Sequence, residues 1–191
     1  MYAFFMKPEE IMNELLLQLR RFNTPERRAE FLENALKKNP PQEVRKDVCL
    51  MLAQIYEGKK WFANAARYYK DAADVAKTFK ERIVLHFKEG QMYLKSREYG
   101  VSDAAFKRAA DAANLEEKQR LKKKVFELYM QEVEYCEKNK RHTVSIEILK
   151  RLIYSDRVDI TDKNAVIERI ANNYDIIGKP HEANEFRRMI K

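Results

Sequence analysis

CLMLAQIYEGKKWFANAARYYKDAA, residues 49–73, is the stretch that decides the fold. Ala53 and Tyr56 stand ahead of a glycine and two lysines, and Ala65, Tyr69 and Ala72 follow them. On either side the apolar residues recur every three or four positions, the period of an α-helix. Glu57 to Lys60 interrupts that period and predicts a turn between two helices. Small residues where two helices cross let their backbones approach, and an aromatic ring fills the space beside them. The stretch therefore predicts a helical hairpin.

Residues 86–110, HFKEGQMYLKSREYGVSDAAFKRAA, repeat the arrangement. Gly90 and Tyr93 take the places of Ala53 and Tyr56, and Ser102, Phe106 and Ala109 take the others. Ala171, Tyr174 and Ala183 recur near the C-terminal end at the same internal spacing. Tyr56 to Tyr93 is a period of 37. Each such hairpin exposes apolar surface until another stacks on it, which predicts a right-handed solenoid of helix pairs.

Outward from these segments, about ten helices in five antiparallel pairs are expected within one helical-repeat domain, 1–191. The N-terminal hairpin covers 8–38, the two clearest repeats 45–113, a divergent pair 118–154 and a last repeat 162–190. Thr24 is a natural N-cap with Pro25 at the first helical position, and Arg27 three residues on leaves no reciprocal capping box. Gly58 and Gly178 are read as turn residues, and Gly90 as a close helix crossing. In 118–154, alignment on Tyr135 leaves Val144 and Ile148 where a small residue and an aromatic belong. No run of Val, Ile and Thr alternates cleanly, so no strand is expected.

The segments Cys49-Leu52-Ala53-Tyr56 with Ala65-Tyr69-Ala72, Gly90-Tyr93 with Phe106-Ala109, and Ile170-Ala171-Tyr174 with Ala183 resemble the tetratricopeptide (TPR) pattern of small, aromatic and alanine positions. The longer period is similar to divergent relatives such as the SNAP-type vesicle adaptors. The resemblance implies a non-enzymatic scaffold or adaptor, whose groove, lined by the first helix of each pair, receives a protein or peptide partner. Carried over residue by residue, that groove shows Leu50, Gln54 and Glu57, then Val84, Phe87, Lys88 and Gln91, then Asn172. Leu50 and Gln54 stand where relatives that clamp a peptide carboxylate carry Lys and Asn. A mixed apolar and amide surface suits an extended or helical protein segment better.

Composition sets the bounds. Four glycines in 191 residues, far apart, exclude a glycine-rich phosphate-binding turn. Two cysteines cannot make a disulfide framework, and Cys49 and Cys136 read as core residues. No apolar run is long enough to span a membrane, and Met1 to Met6 lacks the flanks of a secretory leader, so a cytoplasmic protein is expected. That apolar segment is a candidate for self-association. His86, His142 and His181 have no metal-site motif, and the serines lack a GxSxG elbow. No catalytic residue, cofactor or metal is expected.

The chain carries 38 basic and 30 acidic residues, a net +8, of which +5 falls in residues 61 to 130. Lys118, Arg120, Lys122, Lys123 and Lys124 are the densest cluster. They offer the alternative function, a nucleic-acid or anionic-surface binder, although they cover more than one helical face. Trp61 with Phe62 and Tyr68 with Tyr69 have the chemistry to stack on bases, but are expected in the core.

Overall fold

The computed structural model describes residues 6–155 and 160–190. Among them the chain is all helical, with no strand. Ten helices follow in order: α1 (Pro8–Leu19), α2 (Pro25–Lys37), α3 (Gln42–Gly58), α4 (Phe62–Asp74), α5 (Phe79–Lys95), α6 (Tyr99–Asp111), α7 (Leu115–Lys138), α8 (His142–Ile153), α9 (Ile160–Ile176) and α10 (Pro180–Arg187). They group into two compact units, Met1–Asn114 and Leu115–Lys191. From α3 on, helices within each unit pack on their neighbours in the chain, α3 on α4, α4 on α5 and α5 on α6 in the first, α7 on α8, α8 on α9 and α9 on α10 in the second. By contrast α1 and α2, expected as a hairpin over 8–38, each pack mainly on α3 rather than on each other. The segment Met1 to Met6, expected as a self-association element, lies outside the described residues except for Met6.

Four of the helix pairs are closed by one turn built four times. Each connection is three residues long, and its middle residue is left-handed: Lys60 (φ 60°), Arg97 (φ 65°), Lys140 (φ 57°) and Gly178 (φ 74°). The N–H of that residue bonds three residues back, to Glu57, Leu94, Glu137 or Asp175, at 2.9–3.0 Å. The next N–H bonds five residues back, to Tyr56, Tyr93, Cys136 or Tyr174, at 2.8–3.0 Å. This is the Schellman closure, which satisfies carbonyls that a helix end leaves open. Gly58 is therefore not the turn residue. It ends α3, and Lys60 takes the conformation that glycine adopts most cheaply.

Counting from these turns places the residues at each helix crossing. Five positions after the left-handed residue stand Ala65, Ser102, Ser145 and Ala183, all fully buried. Seven positions before it stand Ala53, Gly90, Val133 and Ala171, buried as well. At α5–α6 the approach is closest. A Cβ on Gly90 would lie 2.6 Å from the Phe106 ring, and Ser102 Oγ donates to the Gly90 carbonyl at 2.9 Å. The same count corrects the register of 118–154. Tyr135 is 52% exposed, and Cys136 takes the buried aromatic's place. Ser145 is the small residue and Leu149 fills the position of Tyr69 and Phe106.

The first pair is different. Thr24 caps α2 by accepting from the Arg27 N–H at 3.4 Å, with no reciprocal bond. Thr78 and Glu81 form a full capping box that starts α5 at Phe79.

Candidate functional site

The expected groove residues of the first unit lie on α3 and α5, which flank α4. Ion pairs strap these two helices at both ends: Lys46 to Glu81 at 2.9 Å and Lys95 to Glu57 at 3.7 Å. Pairing start with start and end with end makes α3 and α5 run in the same direction. Between the straps, Gln54 and Lys88 are exposed, Val84 is half exposed, and Leu50, Phe87 and Gln91 are half-buried. Leu50 packs against the core and Phe87 tilts on Phe106 with ring centroids 5.4 Å apart. Glu57 accepts from the Tyr69 hydroxyl at 3.0 Å, and Lys88 Nζ sits 5.2 Å over the Tyr69 ring. Asn172 belongs to the second unit, where its amide oxygen accepts from Arg187 at 3.0 Å.

Three carboxylates organise polar contacts between helices. Glu33 of α2 accepts from the hydroxyls of Tyr56 (2.7 Å) and Tyr68 (2.9 Å), whose rings stack. Burial and that carboxylate push the Tyr56 phenol up to about 12. Glu89 of α5, fully buried, meets Arg108 at 2.6 Å and His86 at 2.9 Å. Glu137 of α7 accepts from Arg169 at 2.6 Å, Asn173 at 2.7 Å and Ser145 at 3.0 Å. Burial alone raises the Glu137 carboxyl, but bonds from Arg169 and Asn173 outweigh it and hold the group below the usual carboxylate range. His142 completes this network at 2.8 Å from the Asn173 oxygen. Among the described residues no group of three or more His, Cys, Asp or Glu is placed to hold a metal.

The basic cluster occupies the first half of α7. Arg120 pairs with Glu116 one turn earlier, Lys118 and Lys122 are half-buried, and Lys123 and Lys124 are exposed. The five side chains do not converge. Among the described residues no helix is long and apolar enough to cross a membrane.

Sequence reasoning missed two clefts. One, of about 380 Å³, lies between α1 and α3 and is lined by Glu9, Met12, Asn13, Glu43 and Asp47. The other, of about 460 Å³, opens between the α3–α4 and α5–α6 turns. Lys60, Lys95 and Arg97 line it, together with Trp61, Phe62 and Asn64. Trp61 is not a core residue: it is 54% exposed, stacked on Tyr56 at 5.8 Å with Lys59 Nζ 4.2 Å over its ring. The sequence held a signal for this cleft, since two successive hairpins put a basic residue where a helix end favours glycine.

No protein-family model matches this chain, and no curated protein matches it.

Proposed function

We propose that the protein is a non-enzymatic scaffold of the TPR-like kind, a stack of helix pairs that receives a segment of a partner protein along α3 and α5. The recurrence of one three-residue Schellman turn at four hairpins, each in step with a buried alanine or serine on its second helix and, in three of the four, a buried alanine or glycine on its first, carries this reading. Repeats of this sort work by presenting side chains from rigid helices, so little conformational entropy is lost on docking. The strapped pair α3 and α5 supplies such a surface, with amides at Gln54 and Gln91 and apolar area at Val84 and Phe87. An extended or helical segment with apolar anchors and hydrogen-bonding groups suits it.

The test is capture from a native lysate on the immobilised full chain at two salt concentrations, with mass analysis of protein and nucleic acid. Protein partners should survive the higher salt, fall away with Gln54→Lys plus Val84→Asp, and persist with Lys123→Ala plus Lys124→Ala. Recovery of nothing but RNA or DNA would sink the scaffold reading.

A further inference from the structure

The cleft between the two hairpin turns of the first unit is a second surface, separate in residues from the α3–α5 face. Two features mark it as more than a surface dent. First, Lys60 and Arg97 are both left-handed, at φ 60° and 65°, and both line it. A side chain in that conformation is less favourable than glycine, because its Cβ crowds the backbone. The cost recurs at two adjacent turns, and both times the residue retained there is a cation. Both side chains are exposed, and neither makes an ion pair among the described residues. Second, the cations stand beside aromatic surface. Trp61 is half exposed, and Lys95 Nζ lies 5.3 Å over the Phe62 ring. Lys59 is paired with Glu26 at 2.6 Å and Lys95 with Glu57 at 3.7 Å, while Glu98 accepts from Ser96 at 3.2 Å, which leaves Lys60 and Arg97 as the cleft's cations that no ion pair holds among the described residues.

We propose that this cleft binds single-stranded nucleic acid, with Lys60 and Arg97 contacting phosphates and Trp61, whose ring lies between Tyr56 and Lys59, offering its exposed edge to a base. Cations spaced one per turn match a polymer whose charge also repeats, and aromatic surface between them matches an unstacked base. A cleft of about 460 Å³ is of a size to hold a nucleotide, not a duplex. An acidic peptide would use the cations and leave the indole without a role. The third hairpin turn carries a left-handed cation as well, Lys140.

The conformation of the two residues supplies a clean variant. Lys60→Gly with Arg97→Gly removes both charges and relieves the backbone, so the protein should remain folded with a melting temperature equal to or above the parent's. Binding is read by fluorescence anisotropy of a labelled uridine oligonucleotide of about 12 nucleotides on the full chain. The parent should bind, and its affinity should fall steeply between about 50 and 200 mM salt. The double glycine variant should lose about tenfold in affinity and lower the salt slope by roughly 1.4. Trp61→Leu should lose about fivefold with little change in slope. Lys123→Ala with Lys124→Ala, the same charge removed elsewhere, should bind within about twofold of the parent. Any of four results overturns the proposal: no binding by the parent at low salt, parental affinity in the glycine variant, an equal loss in the Lys123/Lys124 control, or equal competition by polyglutamate or duplex.

Discussion

Hairpins α5–α6 and α7–α8 end in the same turn, yet their helices are held together by different chemistry. In α5–α6 a glycine faces a phenylalanine ring at a distance that leaves no room for a Cβ, and a serine hydroxyl bonds the glycine carbonyl. In α7–α8 the corresponding pair is Val133 and Leu149, both fully buried, and the serine bonds a side chain, Glu137. The first crossing gains from close backbone approach. The second exchanges that for branched aliphatic bulk and a polar network that reaches α9 through Arg169 and Asn173. Turn geometry is thus the invariant of the hairpin, and the side chains across the crossing are free to vary as long as the space is filled.

The largest effect should come from emptying the aromatic crossing. Phe106→Ala removes a buried ring and should cost about 4 kcal/mol in denaturant unfolding, against about 3 for Leu149→Ala. Gly90→Ala alone should cost about 1–2, because the added Cβ meets the ring, offsetting the better helix propensity of alanine. Combined with Phe106→Ala, the same change should become neutral or stabilising. A coupling near zero in that double-mutant cycle would break the distinction between the two crossings.

Next is the polar network. Glu137→Ala leaves Ser145 and Asn173 buried without their carboxylate, and about 2–3 kcal/mol should be lost. Hydrogen exchange should speed up in α7 to α9. At the equivalent position of the first unit, Glu57→Ala removes one acceptor from the Tyr69 hydroxyl and should cost about 1 kcal/mol. Equal costs would mean that the two units are not held differently at this point.

The Glu137 carboxyl also gives a pH signature. Its folded value is held down, mainly by Arg169 and Asn173 acting against burial. Its contribution is therefore fully present above the unfolded value of about 4.3 and is lost as pH falls through the lower folded value. Melting temperature followed from neutral pH to about 3 should drop more in the parent than in Glu137→Gln. Parallel curves would remove the carboxylate from the account.

How far sequence alone carries depends on which of these devices a region uses. Ala53, Tyr56, Ala65 and Tyr69 were legible because small and aromatic residues at helical spacing fit one register of a close helix crossing and clash or leave gaps in the rest. Val133, Cys136, Ser145 and Leu149 were not, since aliphatic residues at the same spacing fit several registers, and Tyr135 offered a false anchor one position away. The Thr78–Glu81 capping box is present in the letters, but apolar periodicity alone does not mark where a cap starts a helix. Phe87 packing on Phe106 and Leu50 on the core follow from how deeply each helix seats, a tertiary property that periodicity does not carry. The cleft at the turns was hidden for a similar reason. It needs two turns 37 residues apart to lie side by side, with basic residues in a conformation that sequence assigns to glycine.

The smallest effects test the turn itself, where glycine positions separate the two roles that the letter G leaves undivided. Gly178 holds φ 74°, so Gly178→Ala should cost about 1 kcal/mol although nothing lies within 4 Å of the added Cβ. Gly58 has the same open surroundings but sits inside the last turn of α3 with helical backbone, so Gly58→Ala should stabilise by about 0.5–1 kcal/mol. Lys60→Gly and Arg97→Gly should each stabilise by a similar amount. The opposite signs at Gly58 and Gly178, read as melting temperatures of the two alanine variants, follow only if the left-handed residue lies at the same place in every turn. Destabilisation by Gly58→Ala would put the α3–α4 turn in a different class from the α9–α10 turn, and with it the equivalence of hairpins in the two units.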